Sequence, residues 1–193
     1  MNLPLIHDAI DLLRLRVGRL EQYQYPLGQL MAVFAALGIM SAAAAHADGA
    51  SGDPLALTLF FTLYTLMETS LYATFMRWWL RRAGCHIEFP LIGLIAAASL
   101  IKLLDPLVSW LPDDVAQGLS LVLGAVALYI VVKAQALTTG ASVLRVLGGT
   151  LLFSPIAIIL MVNMVTVAAS MGVEVFPPEL MQSATLKADD NAP

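Results

Sequence analysis

Five long apolar runs dominate this chain, at 27–47, 55–80, 91–111, 115–137 and 146–169. A helix rises about 1.5 Å per residue, so each run can cross a hydrocarbon core of about 30 Å, the longer ones with some tilt. In lipid every backbone N–H and C=O needs a partner within the structure, which leaves helices and closed barrels. A barrel needs alternating segments of about ten residues, and these runs are longer and apolar throughout. The expectation is an all-α integral membrane protein, a five-span helical bundle occupying 26–170. Composition agrees: 59% of the 193 residues are hydrophobic and 12% are charged, against roughly 25% charged in soluble domains. Ten Lys and Arg face 14 Asp and Glu, which excludes nucleic-acid binding through a large basic surface. Cys85 is the single cysteine, so there is no disulfide scaffold.

Residues 1–25 do not read as a cleavable signal, because Asp8, Asp11, Arg14, Arg16, Arg19 and Glu21 interrupt them. Ile6, Ile10, Leu13, Val17 and Leu20 recur at steps of four and three, the pattern of an amphipathic helix with one apolar face. Arginines flank that face, as in helices lying on an anionic membrane surface; packing on the protein's own loops is the alternative. The tail, 171–193, contains Pro177 and Pro178 and ends in a short polar stretch expected to be flexible.

Basic residues set the orientation. With alternating spans, Arg14, Arg16, Arg19, Arg77, Arg81, Arg82, Lys133 and Arg145 all fall on one side. Asp48, Asp53, Asp113, Asp114 and most tail charges fall on the other. The N-terminus is expected in the cytoplasm and the C-terminus outside, in a bacterial inner membrane.

Three ionisable residues lie well inside the runs: Glu68, Lys102 and Asp105. A charge near the bilayer centre costs at least about 2.5–3.5 kcal/mol on insertion scales, so each needs a partner, a changed protonation state or water. Lys102 and Asp105 are three residues apart on one helix face, which continues through Ala98 and Ser109. The second run carries a polar stripe of Thr58, Thr62, Thr65, Thr69 and Tyr72 beside Glu68. Glu68 lies about 13 Å of rise from Arg77, and Lys102 about 18 Å from Pro90. These depths are close enough to predict a buried Glu68–Lys102–Asp105 cluster between the second and third spans. Such a cluster is a proton or ion relay, a neutralised knot that fixes helix register, or a site completed by another subunit.

Small residues recur at packing spacing in Gly93 and Ala97, and in Ala116, Ser120 and Gly124. They support a compact bundle or a dimer face. Asn163 is expected to bond to a neighbouring helix. No metal or cofactor is expected: His46 with Asp48, and Cys85 with His86 and Glu88, lack the spacing and number of zinc ligands. Walker A, H-E-x-x-H and G-x-S-x-G motifs are absent, and no enzymatic activity is expected.

The stretch ALYIVVKAQALTTGASVLRVLGGTLLFSPIAIILMV, 127–162, resembles the closing region of the Yip family of multi-pass membrane proteins. A long apolar span ends there in a short turn with Lys133, Gly140, Ser142 and Arg145, followed by a span containing Pro155. The resemblance implies membrane organisation or partner binding rather than catalysis. The functional expectation is a non-enzymatic scaffold, assembly factor or accessory subunit that binds the lipid bilayer and other membrane proteins or itself. The alternative is a small proton- or ion-coupled transporter using Glu68, Lys102 and Asp105.

Overall fold

The computed structural model describes residues 4–47, 49–104 and 113–175, and every regular element among them is helical. The helices are α1 (Pro4–Leu13), α2 (Leu27–Ala47), α3 (Pro54–Arg82), α4 (Ile92–Ser99), α5 (Asp113–Thr139) and α6 (Val143–Ser170). Two 3₁₀ stretches, Leu20–Tyr23 and Leu100–Leu104, precede and follow α4 in space and in chain respectively. Among the described residues four helices are long and apolar enough to cross a membrane: α2, α3, α5 from Gly118, and α6. The third apolar run is present as the shorter helical stretch Ile92–Leu104. Asp105, Pro106 and Ser109 lie outside the described residues, as do Asp48 and the tail from 176.

Local chemistry sets the helix ends. Asp53 caps α3, its carboxylate accepting from the backbone N–H groups of Leu55 and Ala56 at 3.1 and 3.0 Å, with Pro54 in the first turn where a missing donor costs nothing. Ser142 caps α6 through the N–H of Arg145. Glycines with positive φ, Gly49, Gly84, Gly140 and Gly172, follow the C-terminal ends of α2, α3, α5 and α6. The exception is α1. It is closed by Leu15 at φ 56, with the Arg16 N–H reaching back to the Asp11 carbonyl at 2.8 Å. A leucine in that left-handed region carries a cost of roughly 1–2 kcal/mol that glycine avoids.

The hairpin α2–α3 is close-packed at one crossing. A Cβ on Gly38 would stand 2.7 Å from the Thr62 backbone nitrogen and 2.0 Å from its hydroxyl. On its other side α3 meets α6, where Phe153 makes an edge contact with Tyr72 and a tilted one with Phe75, at ring distances of 5.2 and 5.7 Å. Gly149 lets α6 come down onto Met76 and Trp79. Far from the arginines, Ala42, Leu57, Phe60, Ala168 and Val175 bury one another and join α2, α3 and α6.

The short α4 is enclosed on every side: Gly93, Leu94, Ile95, Ala96, Ala97 and Ala98 are all buried. An all-round apolar helix belongs in a core, and α1, α2, α3 and α5 surround it. The segment leading into α2 is tied to its first turn. Gln24 Nε2 donates to the Pro90 carbonyl at 3.2 Å, and a Cβ on Gly93 would collide with the Tyr23 carbonyl oxygen.

The sequence pattern predicts an N-terminal apolar face of Ile6, Ile10, Leu13, Val17 and Leu20. The helix instead stops at Leu13 and buries Leu5, Ala9 and Leu12, leaving Ile6, Ile10 and Leu13 exposed. Its apolar arc spans both sets, and α4, the second 3₁₀ stretch and α5 cover only one edge. The Tyr25 hydroxyl donates to Asp8 Oδ2 at 2.6 Å and fastens α1 to the start of α2.

Burial pushes the Tyr25 phenol well above its usual value, and the Asp8 hydrogen bond acts in the same direction. The unfolded phenol therefore ionises first. The stability that Tyr25 contributes is complete below about pH 10 and is lost as pH climbs beyond it, a loss that Tyr25→Phe should remove from a pH series of unfolding midpoints. In the same assay Gly38→Ala should cost about 1–3 kcal/mol, since the added methyl forces two helices apart. Gly118→Ala should cost nothing or stabilise by up to about 1 kcal/mol, because its Cβ would meet nothing within 4 Å.

Candidate functional site

The polar residues inside the apolar helices fall into two groups. One is the predicted charged cluster. Glu68 sits half-buried on α3, with the Tyr64 hydroxyl one turn earlier within reach of its carboxylate. Lys102 lies in the 3₁₀ stretch and is exposed. Among the described residues no ion pair joins the two, and Asp105 and Ser109 fall outside the description. The geometry behind the separation is local. A 3₁₀ residue turns about 120° rather than about 100°, so from Leu100 onward the side chains do not keep the register that an unbroken α-helix would give them. The 3₁₀ stretch packs on α2 and α5.

The threonine stripe on α3 faces protein at successive levels. Thr58 donates to the Pro54 carbonyl of its own helix at 2.8 Å. Thr62 fills the α2 crossing at Gly38, Thr65 is half-buried, and Thr69 and Tyr72 are buried.

Tyr72 belongs to the second group, a polar knot that the sequence reading only half captures. Gln135 of α5, with no exposed surface, donates from Nε2 to the Tyr72 hydroxyl at 3.0 Å. The Tyr72 and Thr150 hydroxyls are 2.7 Å apart, and Thr150 donates onward to the Val146 carbonyl at 3.0 Å. One consistent direction of donation thus runs Gln135, Tyr72, Thr150, Val146 and links α5, α3 and α6. The Gln135 side-chain oxygen is buried without a partner among the described residues. The signal in the sequence for Gln135 and Thr150 is weak: each is a hydrogen-bonding side chain in a mostly apolar run, close to the turn that joins the two helices.

The small-residue rows separate as well. Gly93 and Ala97 are buried in the core around α4. Ala116, Ser120 and Gly124 are expected to pack within the chain, but Ser120 and Gly124 are exposed, Ala116 is half-buried, and a Cβ on Gly124 would meet nothing within 4 Å. Among the described side chains of α5 none is buried before Ala127, and the buried ones lie in the half that carries Gln135. Asn163 donates to the Ile159 carbonyl of its own helix at 2.7 Å rather than to a neighbour, a bond that satisfies it in an apolar setting without any partner.

Tyr72→Phe should lower stability in detergent by about 1–2 kcal/mol, because the buried Gln135 amide loses its acceptor. Adding Gln135→Leu should return part of that loss, and a double-mutant cycle of unfolding free energies measures the coupling. Comparison of the chain with known protein families, curated proteins and solved structures gives no significant match.

Proposed function

We propose that this chain is a non-enzymatic five-span membrane protein that binds other membrane proteins, as a scaffold, assembly factor or accessory subunit. The observation that carries the reading is the outer half of α5. Among the described residues no helix packs on Ser120 or Gly124 in its row of Ala116, Ser120 and Gly124, and Val115, Leu121 and Val122 beside it are exposed. In lipid, helices associate through close backbone approach and hydrogen bonds rather than hydrophobic drive, and small residues permit that approach. The partner is a transmembrane helix, from a different protein or from a second copy. The Yip-like pattern over 127–162 leans towards the same role.

In this reading the third apolar stretch, Ile92–Leu104, joins the four long helices as a span and brings the number to five, and the arginine-bearing ends face the cytoplasm. Support comes from the Trp79 indole, which donates to the Arg145 carbonyl at 3.1 Å and joins the basic end of α3 to that of α6. The N-terminal helix lies at the cytoplasmic interface. Ile6, Ile10, Leu13 and Leu15 are between 42% and 49% exposed beside a face that packs on the protein, the arrangement of a helix held between bundle and lipid.

Reporter fusions after Ala50, Ala83, Asp113, Thr139 and Lys187 should read outside, inside, outside, inside, outside. Purification in a mild detergent should return stoichiometric companions or a homo-oligomer. Ser120→Leu with Gly124→Leu should release them while leaving the unfolding midpoint of the chain itself unchanged. Retention of the companions, or a purified monomer from the unmodified chain, overturns the assignment to α5.

A further inference from the structure

The last three turns of α3 carry Arg77, Arg81 and Arg82, and the chain then folds back on them. Gly84, at φ 83, reverses the direction, and the Cys85 N–H closes on the Leu80 carbonyl at 3.2 Å. The returning strand presents backbone carbonyls to two of the arginines. Arg81 Nη2 donates to the Ile87 carbonyl at 2.7 Å and Arg77 Nη2 to the Glu88 carbonyl at 3.1 Å. The third guanidinium lies over the Trp78 ring, 4.6 Å from its centroid.

Among the described residues no carboxylate forms an ion pair with any of the three; the exposed Glu88 carboxylate, which lines the return-loop groove, lies 3.6 Å from the His86 ring. Arg77 is half-buried, and its Nε is enclosed with no hydrogen-bond partner among the described residues. Carbonyl dipoles and the negative end of the helix offset part of this charge, but they bring no net negative charge. Three cations gathered and oriented in this way, with donors left over, fit an anion that offers several oxygen acceptors. Guanidinium forks match phosphate oxygens in pairs. Space is present beside them: an open groove of about 490 Å³ is lined by Thr74, Arg77, Trp78, Arg81 and Arg82, and a second of about 350 Å³ lies across Arg81 against the return loop.

The surface leading into the groove is apolar. Leu59, Leu63, Met67 and Leu71 follow one another at steps of four along the exposed side of α3, and Trp78 continues the row to the arginines. From Met67 to Trp78 is eleven residues, about 16 Å of rise, close to one leaflet of a core about 30 Å thick. Tryptophan is enriched where hydrocarbon meets headgroups. The row therefore ends in cations at the level where an acyl chain lying along it would place its phosphate.

We propose that the Arg77–Arg81–Arg82 groove with Trp78 is a binding site for an anionic glycerophospholipid, its phosphate held by the guanidinium groups and an acyl chain along the Met67–Leu71 ridge. A zwitterionic lipid carries its own ammonium, which the three arginines repel, so the site selects for net negative charge. The proposal rests on the helices crossing a bilayer and is independent of the partner assigned to α5.

The test uses the full chain, delipidated in a nonionic detergent, titrated with short-chain phosphatidylglycerol, with matched phosphatidylcholine and with inorganic phosphate. The readout is the shift in unfolding midpoint, with retained lipid counted by native mass spectrometry. Phosphatidylglycerol should bind roughly tenfold or more tightly than phosphatidylcholine, a difference of one decade in affinity. Arg81→Gln with Arg82→Gln, both at exposed positions, should abolish that preference, and Arg77→Gln should weaken binding wherever it folds. Equal binding of the two lipids, or a preference that survives the Arg81/Arg82 pair, overturns the site. Inorganic phosphate that matches phosphatidylglycerol in affinity also overturns it, in favour of a soluble anion. A chain that stays in solution without detergent would instead overturn the bilayer reading beneath it.

Discussion

The hydrogen-bonded knot of Gln135, Tyr72 and Thr150 is the constraint on which the arrangement of the long helices turns. Apolar surfaces alone hold helices together weakly in lipid, because the tails outside are as apolar as the side chains within. A buried amide has no such freedom: sliding α5 by one residue would carry Gln135 Nε2 away from the Tyr72 hydroxyl and leave its N–H group without that acceptor. The knot sits ten residues before the end of α3, four before the end of α5 and seven after the start of α6. It therefore fixes these helices in the half of the bundle that carries the arginines. Phe153 packs edge-on to Tyr72 and tilted against Phe75, and completes the enclosure.

That placement accounts for the contrast between the two halves of α5. Burial sets in at Ala127 and continues through Ala136, the half pinned by Gln135. Before Ala127 the side chains include Leu121 at 72% exposed and Val122 at 56%. At the other end of the bundle the contacts belong to α2, α3 and α6, through Ala42, Leu57 and Ala168. One half of the molecule is thus cross-tied by polar contacts, and the other offers a length of apolar helix with a row of small residues.

The helices α2, α3, α5 and α6 were legible because the runs that form them are long and their ends carry ordinary signals, such as Asp53 with Pro54, Ser142, Gly84 and Gly172. The third run was harder to read. Gly93 to Ala98 is apolar enough to be taken for any span, and hydropathy does not show that its small side chains are enclosed on all sides. Pairing Glu68 with Lys102 assumed an unbroken α-helix, whereas Leu100–Leu104 is 3₁₀. Periodicity also left the N-terminal face ambiguous, since Leu5, Ala9 and Leu12 keep the same steps of four and three as Ile6, Ile10 and Leu13. Only tertiary packing selects between them. Tyr72 is legible because it continues the threonine stripe, whereas nothing in the sequence says that Gln135, one of two amides in its run beside Gln117, is the one that meets it.

Leu15 bears on why α1 has two apolar edges. Where the long helices end, glycine supplies the positive φ. Here a leucine adopts it, at a cost of roughly 1–2 kcal/mol, and its side chain is 45% exposed, so packing within the chain does little to offset that cost. The side chain continues the exposed row of Ile6, Ile10 and Leu13 past the end of the helix. In water such a row would be a liability, and a glycine would remove both the strain and the exposed surface. Against acyl chains the balance reverses: each apolar side chain in the row gains by contact with lipid, and a leucine at the turn extends that contact where glycine would end it. On the proposal that α1 lies between the bundle and the bilayer, its strained turn and its uncovered edge share one physical explanation.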